Sequence, residues 1–239
     1  MSLLTDTDIS AMLNSTSTWT DKDNALHIYP FDPECLTCMG YDLRIGQRYV
    51  STVRGGPSNV HPGDNIPVDP GETVLIETLE TVDFPQNKTI SALIESKVTI
   101  VSQGFSHIST TVDPDWQGKL LIAITNHARE TLSLKYSETF CTIVFFQNKS
   151  PATKPSGKTP GRTDVFLAVL AEQAKKKQKQ EQEHKTIERL LLLLPFAIVV
   201  LFIVVGYIVF RTGAGFTAAL GAGVVLAEAV FLYLRSKYG

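Results

Sequence analysis

The last fifty residues constrain the chain more than any other feature. Leu190 to Phe210 is a run of 21 residues without a charge, and Thr212 to Leu234 is a run of 23 broken only by Glu228. About 20 apolar residues in a helix cross about 30 Å of hydrocarbon. Arg211-Thr-Gly-Ala-Gly215 between them is enough for a tight turn, so the pattern predicts a helical hairpin that crosses a membrane twice. The competing reading is a pair of core helices in a soluble protein, but the residues upstream are too few to bury both on all sides. Charge is distributed to match. Residues 1–150 hold 10 Lys+Arg and 18 Asp+Glu, residues 151–189 hold 9 basic and 5 acidic residues, and the tail is nearly uncharged. An acidic head argues against binding a DNA or RNA duplex, which needs a basic face.

Lys175, Lys176, Lys177, Lys179, Lys185 and Arg189 precede the first run, Arg235 and Lys237 follow the second, and the turn has only Arg211. The positive-inside rule then places the N-terminal head and the C-terminus on the cytoplasmic side. The N-terminus has no basic n-region or apolar h-region, so no signal peptide is expected. Three cysteines in 239 residues do not form a disulfide framework. Cys35-x-x-Cys38 has zinc or redox spacing, yet Cys141 is the only other cysteine, and buried or turn cysteines in a reducing compartment are the simpler reading. No metal site is expected.

Within the hairpin, Gly215, Ala219, Gly223 and Ala227 recur every four residues and form a small-residue stripe on which another helix can pack closely. Two readings stand for Glu228: a side chain that snorkels toward the cytoplasmic end, or a polar ring in an oligomeric pore. Pro195 either kinks the first span or marks its start. Residues 151–188 form a Pro/Gly-rich arm and a polar helical stalk. Asp164 is placed to cap a helix beginning at Val165.

Residues 1–150 read as mainly β. Thr73–Ile76, Lys97–Val101, Lys119–Thr125 and Cys141–Phe146 are rich in β-branched and aromatic residues, with turn signals between them. Short strands without interleaved helices predict a sandwich or barrel. A short helix is expected near Asp6–Leu13.

Particular segments resemble the dCTP deaminase and trimeric dUTPase superfamily, the deaminase branch above all. They are Leu3-Leu-Thr-Asp-Thr-Asp-Ile9, Gly40-Tyr-Asp-Leu-Arg-Ile-Gly46, Pro70-Gly-Glu-Thr-Val-Leu-Ile-Glu-Thr-Leu-Glu80 with Phe84-Pro85, and Thr110-Thr-Val-Asp-Pro-Asp-Trp-Gln-Gly118. Their order and spacing carry the resemblance. It implies a jelly-roll-like β-clip head that assembles as a homotrimer with nucleotide sites between subunits. Ser96, Lys97, Thr111, Asp113 and Trp116 then become nucleotide-binding candidates. It also implies a glutamate as proton shuttle in the strand Lys119–Asn126, where the aligned residue is Ala123. The arginine–serine–serine phosphate motif aligns with Glu95-Ser96-Lys97. The arm that closes on the triphosphate in relatives keeps Lys154, Lys158 and Arg162 but lacks the usual aromatic residue.

The expected function is a membrane-anchored, non-catalytic, nucleotide-binding sensor or effector in the bacterial inner membrane, with bilayer disruption in anti-phage defence as its extension. A membrane-tethered active deaminase or dUTPase and a trimeric scaffold with a vestigial pocket are the alternatives. No cofactor is expected, and Mg²⁺ only alongside a bound nucleoside triphosphate. The bilayer is the other expected partner.

Overall fold

The computed structural model describes residues 1–54, 57–107, 109–211 and 213–238. It divides into two compact units, Met1–Ala174 and Lys175–Gly239. The first therefore takes in the whole arm and the first turns of the long helix that follows it.

In the first unit the principal strands are β1 (Leu26–Tyr29), β2 (Gly40–Ser51), β3 (Asn65–Val68), β4 (Thr73–Asp83), β5 (Ile90–Ser96), β6 (Thr110–Val112), β7 (Lys119–Asn126), β8 (Leu132–Lys135) and β9 (Thr139–Gln147). The main path runs β7–β4–β2–β9–β5–β6, antiparallel throughout, while β3 and β8 form a separate pair. Residues alternate as a half-buried sheet requires. Val74, Ile76 and Val82 of β4, Leu120, Ile122 and Ile124 of β7, and Ile143 and Phe145 of β9 all point into one core. Phe84 packs on Phe145 with ring centroids 5.9 Å apart.

Strand β2 turns the corner of the fold. Tyr41–Arg44 pair with β9, and from Ile45 onward the pairing passes to β4. Gly46 sits at that switch, where an added Cβ would lie 2.6 Å from the Thr78 carbonyl oxygen. No other residue fits there without moving backbone. The Asp-Leu-Arg core of the same motif carries a second constraint. Arg44 donates from Nε to Glu80 at 2.6 Å, from Nη1 to Asp32 at 2.9 Å and from Nη2 to the Pro30 carbonyl at 2.9 Å. Its backbone N–H donates to the other Glu80 oxygen at 2.9 Å. Glu80 is wholly buried. Burial pushes its carboxyl up from the usual range, against the pull of the Arg44 hydrogen bonds.

The helix expected near Asp6–Leu13 is present as α1 (Asp6–Met12). The strand expected over Lys97–Val101 is not. Val98–Val101 is a single helical turn, α2, with the Ile100 and Val101 N–H groups donating to the Lys97 carbonyl at 3.0 Å. The β-branched residues there lack a partner strand, because the ladder ends at Ser96, and Ile100 reaches the core from a turn instead.

Thr163–Phe210 is one helix, α3. It begins one residue before Asp164, and Asp164 accepts from Thr159 and Arg162. Those hydrogen bonds hold its carboxyl down at about 2. Phe166 is buried beneath the Arg48 guanidinium, 4.6 Å from its ring centre, and Gln173 donates to the Thr52 carbonyl. The start of α3 is thus part of the head.

In the second unit, α3 continues to Phe210 and α4 spans Ala214–Tyr238. Both are long and apolar enough to cross a membrane. Thr212, where the second apolar run starts, lies outside the described residues, as do the side chains of Arg235 and Lys237. Gly223 and Ala227 are buried and Gly215 and Ala219 half-buried. A Cβ on Gly223 would come within 2.6 Å of Phe202, and one on Gly206 within 3.0 Å of Ala219. The small residues let α3 and α4 of the same chain approach closely. Pro195 lies inside α3, which runs unbroken from Thr163 through the first apolar run.

Candidate functional site

The residues singled out from sequence fall into three places on the head. The first is the end of β5. Ser96 Oγ lies 2.6 Å from His107 Nδ1. Lys97 is tied to Asp42, whose other oxygen accepts from Thr142 Oγ1 at 2.6 Å. Glu95 accepts from Ser109 at 3.2 Å. The local charge is therefore two carboxylates against one ammonium. A cavity of about 10 Å³, roughly one water's worth, is bordered by Ser96, Lys97, His107, Ile124, Phe140 and Cys141. Burial pushes the Cys141 thiol well above its usual range.

His107 closes this end of the site. Its Nε2 is buried without a partner among the described residues. Burial pulls its pKa below the ordinary histidine value, and the Glu95 carboxylate opposes this only in part. A histidine with a depressed folded-state pKa stabilises the fold above its unfolded pKa, about 6.5, and loses that contribution as the pH falls. The melting temperature of the head should therefore decline between pH 7 and pH 5. His107→Gln should flatten that slope, and an unchanged slope would remove His107 as its cause.

The second place is the hairpin after β6. Thr111 is exposed and pairs with Leu93 of β5. Asp113 is ion-paired with Lys158 of the arm. Asp115 accepts from the Ser156 N–H at 2.9 Å, and such hydrogen bonds draw its carboxyl down against the burial that raises it. Lys88, Lys154 and Lys158 join the two aspartates around a groove of about 430 Å³. Trp116 is not open to this groove as a stacking surface. It is 6% exposed and donates from Nε1 to the Gly118 carbonyl at 3.0 Å, which makes it the inner pin of the hairpin.

The third place is the outer face of β7. Ala123 is exposed and pairs with Leu75 of β4. Next along the same face, Leu121 pairs with Glu77. Glu77 is a carboxylate that sequence inspection of β7 could not reveal, since only strand register brings it onto the same face, one pair along from Ala123. It is 8% exposed at the side chain and bound to Arg48 at 3.1 Å. Alternation sends Ala123 away from the core, whereas Ile124, the next residue, borders the Ser96 cavity from inside. Within one chain, Ala123 and Ser96 therefore do not face a common space. Glu228 lies in the second unit, in a groove between α3 and α4.

A head of antiparallel strands with this hairpin and this Asp-Leu-Arg corner defines a class. Residues 4–148 match the family described as dCTP deaminase-like. The chain belongs to that family. It is 35% identical over 142 residues to the dCTP deaminase of Pyrococcus horikoshii, covering 59% of this chain and 88% of that protein. It is 34% identical to the dCTP deaminase of Thermococcus gammatolerans over the same shares. Among solved structures, the 2'-deoxycytidine 5'-triphosphate deaminase from Agrobacterium tumefaciens aligns with a TM-score of 0.47 at 15% identity, covering 60% of this chain and 47% of that one. A dUTPase from phage phi11 of S. aureus aligns with a TM-score of 0.39 at 15% identity, covering 57% and 99%.

Proposed function

We propose that this protein is a membrane-anchored member of its family whose head binds a nucleotide or nucleotide-like ligand without deaminating it. The carrying observation is the outer face of β7. There a methyl group stands at position 123, and the neighbouring carboxylate, Glu77, is buried and committed to Arg48. A group that must take up and release a proton cannot be replaced by a methyl. The end of β5 supports the same reading, because Glu95 and Asp42 outnumber Lys97 where a triphosphate would carry several negative charges.

Assembly as a homotrimer belongs to this reading. Ala123 lies on the face of β7 opposite Ile124, which borders the Ser96 cavity, so a site that used both Ala123 and Ser96 is read as drawing on a second copy. The two long apolar helices anchor the assembly in a bacterial inner membrane, and the lysines before Leu190 keep the head cytoplasmic. Disruption of that membrane in defence against phage is the extension of the reading, and dye uptake by cells overexpressing the full chain tests it.

Binding is tested by thermal shift of the full chain in detergent against dCTP, dUTP, dTTP and cyclic nucleotides. A ligand at 100 times its Kd adds about 2.7 kcal/mol to the stability of the native state. At least one member of the panel is expected to raise the melting temperature with no product formed. A flat response across the panel would favour a scaffold with a vestigial pocket.

A further inference from the structure

The arm that leads into α3 is fastened to the head at four points, three of them on the hairpin after β6. The Ala152 N–H donates to the Lys88 carbonyl at 3.1 Å. The Ser156 N–H donates to Asp115 at 2.9 Å, Lys158 pairs with Asp113, and the Gly161 N–H donates to the Gln117 carbonyl at 3.3 Å. A single 3₁₀ turn, Pro160–Arg162, then joins the arm to α3 at Thr163. The root of α3 is seated in its turn. Phe166 is 1% exposed beneath Arg48, which also holds Glu77 at 3.1 Å. Hairpin, arm and helix root therefore form one chain of contacts with little slack.

Two features show that other contacts enforce this closed arrangement. Arg162 is held at φ 47, directly after Gly161 at φ 63. A left-handed conformation at a residue with a side chain persists only where its surroundings impose it. Asp115 Oδ1 is buried without a partner among the described residues, so the closed arm leaves one hairpin acceptor unmet. The ion pair of Lys158 with Asp113 holds the arm against both costs. Its side chains are 34% and 30% exposed, within reach of a solute. The groove of about 430 Å³ beside it is also bordered by Lys88 and Lys154. An anion there meets three ammonium groups and competes with Asp113 for Lys158.

We propose that the arm is a strap held closed by Lys158 and Asp113, and that an anionic ligand entering the groove takes Lys158 from Asp113 and loosens the root of α3. The binding reading above supplies the trigger, and the contacts just described supply the coupling.

Hydrogen exchange of the full chain in detergent, read over residues 163–170, tests the strap. Asp113→Asn should speed exchange there about two- to fivefold, the worth of one partly exposed ion pair, and leave α1 unchanged. Asp113→Lys together with Lys158→Asp rebuilds the pair in reverse and should return the wild-type rate. Inorganic pyrophosphate, with ionic strength matched by sodium chloride, should speed the same segment in the wild type and add nothing in Asp113→Asn. Unchanged exchange in Asp113→Asn, no response to pyrophosphate, or an equal rise in α1 would each overturn the strap. The nucleotide panel separates the two levels of inference. A nucleotide that raises the melting temperature while the root stays protected in Asp113→Asn leaves the binding reading standing and overturns the strap. A flat panel with a root loosened by both Asp113→Asn and pyrophosphate upholds the strap and overturns nucleotide binding.

Discussion

Incubated with dCTP, the full chain is expected to yield no dUTP and no ammonia above the buffer control. Hydrolytic deamination adds water at the ring carbon bearing the amino group and expels ammonia. It needs one proton taken from the water and one delivered to the leaving nitrogen. A positioned acid–base group contributes about 10²–10⁴-fold to such a step. Position 123 has only a methyl group, on an exposed face of β7. Glu77 lies on that face but is held by Arg48 at 3.1 Å with its side chain 8% exposed. Ala123→Glu would place a carboxyl on the open face without crowding the core, and should recover part of that factor if a substrate can be seated. Turnover by the wild-type chain at the rate of an ordinary deaminase would end the non-catalytic reading. It would leave the anchor as the device that places an active enzyme at the membrane.

Arg44→Ala should be the most damaging single change in the head. It strips Glu80 of its side-chain partner and leaves the carboxyl with the residue-44 backbone N–H as the donor that remains from this pair. Breaking a buried ion pair on one side costs about 3–5 kcal/mol. The cost should depend on pH. Burial already raises the Glu80 carboxyl above its usual range. A carboxyl raised in the folded state favours the fold at acid pH and withdraws that support as the pH rises through its folded-state value. The Arg44→Ala defect should therefore be deepest at neutral and alkaline pH and ease on acidification, as Glu80 takes up a proton. Unfolding of the head in urea, followed in the detergent-solubilised chain at pH 5 and pH 8, reads this directly. A loss below about 1 kcal/mol at pH 8 would show that the pair adds little over an exposed one.

Much of the architecture was legible because its signals are local. A charge-free run of 21 residues and a run of 23 broken only by Glu228 marked the two long helices, α3 covering the first and α4 the second from Ala214 onward. β-Branched and aromatic residues with turn signals between them marked β4, β7 and β9. The segment Gly40–Gly46 carried the family resemblance, and the fold supplies its reason: Gly46 lets β2 pass under the Thr78 carbonyl, and Arg44 fills the corner with hydrogen bonds. Lys97–Val101 misled because β-branched residues read as strand wherever they occur, while a strand also needs a neighbour to pair with. Trp116 entered as a nucleotide-binding candidate by resemblance, yet whether an indole faces in or out depends on the hairpin's packing, which spacing does not encode.

The sequence by itself determined the class of the head, the two helices long and apolar enough to span a bilayer, and the alanine at position 123 on which the proposed lack of turnover rests. Each of these lies in a short window, where residue type and period suffice. Only the tertiary structure decided that Glu77 stands two residues along the ladder from the partner of Ala123 and is already engaged by Arg48, that His107 leans on Ser96, that Phe166 roots α3 in the head, and that Glu228 shares a groove with Leu191 and Pro195. These pairs are brought together by strand register and helix packing, which depend on the whole chain folding at once and are written in no single segment of it.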